Sequence, residues 1–266
     1  MALDPALQRI SLLVGDSAVE LLARTKAIVF GIGGVGSWCA DALVRSGIGT
    51  LAIVDSDVVC VTNINRQVQA TSLSVGKSKT AELGRHLREI RPTADIIEMQ
   101  AVFHRTTANR FNLTAYDYVL DCIDSISCKV ELIMRASQAG ARVYTSLGAS
   151  SKLDPTQIVV GSLWDSYNCA LGKYVRKKLR QAGFADKVTC IYSPEETRHF
   201  PGADLCGTGT CLCPKSSPDG EGETHKEWCA AKKQINGSAV HITGTFGFML
   251  AGLVIQDVVK RAGDQS

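Results

Sequence analysis

Lys26-Ala27-Ile28-Val29-Phe30-Gly31-Ile32-Gly33-Gly34-Val35-Gly36-Ser37 is the stretch that decides how this chain folds. Its first five residues form a short apolar run stopped by glycine, the pattern of a buried strand. Gly31, Gly33 and Gly36 then follow in G-x-G-x-x-G spacing, and Val35–Arg45 continues as a helix. Glycine lets the backbone approach a phosphate, and the helix start adds free N–H groups and positive potential. Asp55 ends the next apolar run, Thr50–Asp55, nineteen residues after Gly36. A carboxylate there accepts hydrogen bonds from ribose hydroxyls, so the unit reads as a nucleotide site.

The alternation repeats outward from this unit. Residues 5–23 are expected to be helical, with Asp16 or Ser17 able to cap a second turn, and another helix is expected over Gly76–Ile90. Strands follow at Ala94–Val102, Tyr118–Asp121 and Arg142–Ser146, with a helix-like segment near His104–Asn112 and a helix at Ser127–Ala139. Strands alternating with helices imply an α/β fold, a Rossmann-like, doubly wound and mostly parallel sheet. We assign residues 1–150 to the nucleotide-binding core and 151–266 to a substrate-binding extension packed on it. Within the extension, Gln157–Val160 and Val188–Tyr192 read as strands and Ala170–Ala182 as a basic helix. Residues 193–236 read as a long Cys-rich loop, and Thr243 to Arg261 as a closing helix.

Composition narrows the class. Of 266 residues, 45% are apolar and 21% charged, which provides a core and argues against general disorder. The net charge of +3 neither demands nor excludes a nucleic-acid partner. Ten cysteines are present, but several fall inside apolar runs and no charged-then-apolar leader opens the chain. Reduced thiols in a cytoplasmic protein are the simpler expectation. The apolar stretch Thr243–Val259 falls short of the ~20 residues of a membrane helix, so no span is expected.

The residues after Asp55 separate the chain from nicotinamide dehydrogenases. Asp57 is succeeded by Asn63-Ile64-Asn65-Arg66-Gln67 and then by Gly76-Lys77-Ser78-Lys79. A triphosphate needs cations that a dinucleotide does not, and Arg66 and Lys79 fit that need. An exposed loop and a solvated helix end account for the same residues. Asp121-Cys122-Ile123-Asp124 ends a strand, where ligands of open α/β sheets gather. Asp124 there suits Mg2+ held against phosphates, while Asp121 with Ser125 also suits a helix cap.

These blocks, in this order, resemble the adenylating superfamily of ubiquitin-activating, molybdopterin- and thiamine-biosynthesis enzymes. Cys60–Gln67, Ala42–Thr50, Asp154-Pro155-Thr156-Gln157-Ile158 and Thr245-Phe246-Gly247-Phe248 are similar to its branch that dehydrates threonylcarbamoyladenosine in tRNA. The resemblance implies ATP and Mg2+ as cofactors and activation of the side-chain carboxylate beside the anticodon. Ring closure by a carbamoyl nitrogen then completes the loss of water. It implies Arg66, Lys79 and Asp124 as catalytic residues, with Asp124 on the metal. It places Gly31, Gly33, Gly34, Gly36, Asp55, Asp57, Asn63, Asn65, Gln67 and Ser125 at the nucleotide. It further implies a homodimer and leaves open a sulfur-transfer partner protein.

Two segments keep more than one reading. Lys173–Arg180 holds five basic residues and no acid, which fits tRNA phosphates and equally a solvated helix face. Cys206, Cys211, Cys213 and Cys229, with His225, are enough for zinc but lack paired C-x2-C spacing. A redox-labile loop or no role at all fits them too. The competing function is an adenylyltransferase that activates the C-terminus of a ubiquitin-like sulfur carrier.

Overall fold

The computed structural model describes residues 4–197 and 236–264. Seven strands form one sheet in the order β3-β2-β1-β4-β5-β7-β6. They are β1 (Lys26–Phe30), β2 (Thr50–Val54), β3 (Asp95–Met99), β4 (Tyr118–Asp121), β5 (Arg142–Ser146), β6 (Val159–Ser162) and β7 (Thr189–Tyr192). All neighbours are parallel except β6, which runs antiparallel to β7. The order reverses between β1 and β4, and the crevice at their carboxyl ends is where such sheets bind ligands. The α/β, doubly wound class expected from sequence is therefore the fold. The sheet runs on through β7, which pairs with β5, so residues beyond 150 add strands to the same sheet.

Helices cover both faces. On one, α3 (Gly36–Arg45) and α7 (Val240–Gly263) pack together, with α2 (Asp16–Arg24) against α7. Leu43, Phe246, Leu250 and Val254 join Val29 and Leu120 in that core. On the other, Phe30 meets Phe103 and Phe111 edge-on, beside Leu132 and Ala136 of α5 (Ile126–Gln138). A third cluster joins α5 to α6 (Ala170–Gln181) and β7 through Ile133, Val175, Leu179 and Cys190. The helix after β2 is α4 (Lys79–Ile90).

Three expectations need correction. The 5–23 helix is two, α1 (Gln8–Val14) and α2, because Gly15 between them has φ +85°. Residues 104–112 hold only a short 3-10 turn, Ala108–Arg110. Their apolar residues Ala108 and Phe111 plug the β1 face from a loop, which mimics helical spacing. The closing helix is longer than expected, at 24 residues, and by length and composition alone could cross a membrane. Half of its most apolar window is buried inside the protein, against α2 and α3, as a core helix would be.

Candidate nucleotide site

The Gly-rich turn sits at the switch point between β1 and β4. Gly31 has φ +81°, and a Cβ there would meet Cys122 O at 3.0 Å. Gly36 is tighter, since a Cβ would lie 2.0 Å from Gly31 O. The turn therefore closes on itself and on the end of β4 only without side chains. Gly33 faces Gln67, whose amide is 3.9 Å from the added Cβ, and Gly34 faces Thr243 of α7.

Asp55 braces this turn. One carboxylate oxygen accepts from Ile32 N and the other from Asp57 N, both at 2.9 Å. Lys79 Nζ lies 2.7 Å from Asp57 Oδ2 and 3.8 Å from Asp55 Oδ1. Lys79 is only 6% exposed, whereas the Asp57 side chain is 62% exposed. Burial works against the Lys79 ammonium, but Asp55, Asp57 and Asp124 outweigh it and hold its pKa above the ordinary value. Burial also pushes the Asp55 carboxyl up, with the Asp57 charge adding, against Lys79 and the two N–H donors. The result is a buried, charged lysine flanked by carboxylates, beside the Asp55 that braces the glycine turn.

The Asn63–Gln67 loop flanks it. Asn63 is turned inward and its Oδ1 accepts from Cys60 N at 3.0 Å, so it shapes the loop. Gln67 is buried and accepts from Gln69 Nε2 at 3.4 Å, while the same amide of Gln69 donates to Ile32 O at 2.9 Å. Arg66 Nη1 donates to Thr62 O at 2.7 Å and to Asn65 Oδ1 at 2.9 Å, and Arg66 O accepts from Trp38 Nε1 at 2.9 Å. Asn65 Nδ2 donates to Ser238 O at 2.7 Å, which ties this loop to the residues before α7.

At the end of β4 the two aspartates separate. Asp121 is fully buried and paired with Lys129 at 2.7 Å; Asp124 is exposed, and its charge reaches Lys79. Ser125 precedes α5, with its Oγ 3.3 Å from Ser127 Oγ. Sequence reasoning missed Lys129, Thr145, Trp38 and Gln69. A lysine among the core positions Cys128, Leu132 and Ile133 of α5 was the available signal for the first. Among the described residues no cluster of three or more His, Cys, Asp or Glu forms a protein-only metal site.

Elsewhere, α6 buries Val175 and Leu179 and leaves Lys173, Lys177, Lys178 and Arg180 exposed. Arg176 instead donates to Ser166, and Arg180 stacks over Trp164 at 5.4 Å. The cysteine and histidine set 206–229 lies outside the described residues. Cys39, Cys60, Cys122, Cys169 and Cys190 are free thiols.

A doubly wound sheet with a glycine turn, an acid and a buried lysine at its switch point defines a nucleotide-binding α/β protein. The chain belongs to the ThiF family, whose model matches residues 6–265. It is 32% identical over 260 residues to the tRNA threonylcarbamoyladenosine dehydratase of Escherichia coli K12, covering 95% of this chain and 93% of that one. The solved structure of the E. coli tRNA N6-threonylcarbamoyladenosine dehydratase in complex with ATP matches with TM-score 0.82, 28% identity and full coverage of both chains. Similarity to the adenylyltransferase and sulfurtransferase UBA4 of Meyerozyma guilliermondii is 39% over 105 residues, covering 39% of this chain and 24% of that one.

Proposed function

We propose that this chain is an ATP-dependent enzyme that dehydrates threonylcarbamoyladenosine in tRNA, beside the anticodon. The observation that carries this is the end-to-end match to an ATP-bound dehydratase of the same fold. The match to a sulfur-carrier activator covers only 39% of the chain, so activation of a ubiquitin-like protein is the weaker reading.

The chemistry suits the site. A free carboxylate is a poor electrophile because an oxide would have to leave. Transfer of a phosphoryl or adenylyl group from ATP to the threonyl carboxylate provides a leaving group. The carbamoyl nitrogen then attacks the same carbonyl carbon, the C–N bond forms, and phosphate or AMP departs with the nitrogen's proton passing to solvent. The nucleophile is tethered to its target, so closure gains from effective molarity and needs no nucleophile from the protein. The protein's part is charge placement.

In this reading the glycine turn cradles phosphate and Asp55 faces the ribose. Lys79 and Arg66, with Asn65, bind the triphosphate, and Asn63, Gln67 and Ser125 shape the walls. A Mg2+ ion fits a site where Asp124 presents an exposed carboxylate and Asp57 presents a second beside Lys79, with phosphates supplying its other ligands. Such an ion would neutralise charge developing on the phosphates. The exposed lysines of α6 support contact with tRNA phosphates. A homodimer fits the apolar side of α7, where Phe248, Met249 and Leu253, with Val160 of β6, line an open groove of about 460 Å³.

The test is mass spectrometry of nucleosides from tRNA carrying threonylcarbamoyladenosine, incubated with the protein, ATP and Mg2+. ATP-dependent loss of one water from that nucleoside is expected. An unchanged nucleoside in a competent tRNA would shift the reading to a sulfur-carrier protein as substrate.

A further inference from the structure

The pair Asp121–Lys129 lies outside the residues assigned above to carboxylate activation and ring closure, and it is fully buried. Both side chains are 0% exposed. Lys129 Nζ donates to Asp121 Oδ2 at 2.7 Å, Ser146 O at 2.9 Å and Thr145 Oγ1 at 3.0 Å. Thr145 Oγ1 donates to Asp121 Oδ2 at 2.6 Å, and Asp121 Oδ1 accepts from Ile123 N at 3.1 Å. One ammonium thus ties α5 to the carboxyl ends of both β4 and β5, and both oxygens of Asp121 are engaged.

Stability alone does not explain this arrangement. Burying two ions carries a large desolvation cost, and apolar residues of similar volume often serve as well or better. Leu132 and Ile133, farther along α5, and Leu147, after β5, belong to the packed apolar clusters. An apolar pair would not supply direction. The turn held here runs straight into Asp124. Its Cys122 N donates to Phe30 O at 2.9 Å, and its Cys122 O lies against Gly31, where a Cβ would sit 3.0 Å away. The glycine turn and the Asp124 turn are thus seated on each other, and the buried pair fixes the second.

We propose that Lys129 is a positioning residue of the nucleotide site. It occupies Asp121, so that of the two aspartates at the end of β4 only Asp124 can face a nucleotide and its cation. It also sets the height of that turn against Gly31. The inference rests on the ATP-binding reading and adds a residue that acts through Asp124 without touching substrate.

The test is calorimetric ATP binding to the full chain, with and without Mg2+, alongside thermal melting. The variant Asp121→Asn/Lys129→Met removes both charges and avoids leaving one buried alone. It is expected to melt near the parent protein and to lose roughly 10-fold or more of the affinity that Mg2+ adds. Thr145→Val keeps the pair and removes one bond from each partner. It is expected to lose about threefold in the same Mg2+-dependent part, which keeps the idea testable if the double variant does not fold. Either folded variant with the parent's full Mg2+ gain would overturn the proposal. A parent protein that binds no ATP would overturn the nucleotide reading itself, and this inference with it.

Discussion

Lys79 carries the strongest electrostatic consequence of any single residue at the site. It is buried, charged and flanked by two carboxylates. Lys79→Ala is expected to lower turnover ~10²–10³-fold, the scale for removing one donor to developing charge. Arg66→Ala, in a partly exposed loop, is expected to do the same with the fold intact by circular dichroism. Near-normal activity in both variants would remove the site assignment. A pH effect belongs to Asp41, which sits on α3 away from the glycine turn. Burial alone would raise its carboxyl, but hydrogen bonds from His86 at 2.7 Å and Arg45 at 2.6 Å outweigh it and hold it below the usual range. A lowered pKa stabilises the fold above the unfolded value, about pH 4, and that contribution is lost as pH falls through the folded value. Asp41→Asn is therefore expected to lower the melting temperature at pH 7 and to converge with the parent below about pH 4. A constant gap across that range would contradict this. The glycines and Asp55 were legible in the sequence because their pattern is local. Trp38 was not, because its partner at Arg66 stands 28 residues away, and Lys129 stood out only as a lysine among the core positions of α5.

At the scale of elements, strands read most clearly. β1 and β4 fall where their short apolar runs place them, since a strand buried on both faces needs little else. Helix limits were less clear. The apolar spacing over 5–23 does not register the break at Gly15, and 104–112 shows helical spacing because a loop plugs Phe103, Ala108 and Phe111 into one cluster. The basic helix α6 is amphipathic as its spacing suggested, with Val175 and Leu179 inward. Its exposed lysines make a salt-dependence prediction. Replacing Lys173, Lys177 and Lys178 with Gln is expected to weaken tRNA binding and flatten its dependence on log salt by about one for each phosphate that is no longer neutralised. An unchanged slope would leave α6 as a solvated face.

The described residues build one continuous sheet, covered by helices, whose carboxyl edge gathers the glycine turn, Asp55, Lys79 and Asp124. Residues beyond 150 complete that sheet and supply α7, whose Thr243 meets Gly34. The sequence pattern located the core half of this architecture, but it held no signal that β7 inserts between β5 and β6, because such pairing is settled only in three dimensions. If the apolar side of α7 is a dimer face, Leu253→Arg/Phe248→Asp is expected to shift the protein from dimer to monomer in sedimentation. A parent protein that sediments as a monomer would refute that part. The reaction itself is an ATP-dependent loss of water from threonylcarbamoyladenosine. Mass spectrometry of tRNA nucleosides after incubation with protein, ATP and Mg2+ tests it most directly, with digestion mild enough to spare a cyclic product. Threonylcarbamoyladenosine is expected to lose one water only when ATP is present. A competent tRNA left unmodified, by protein that still binds ATP, would contradict it.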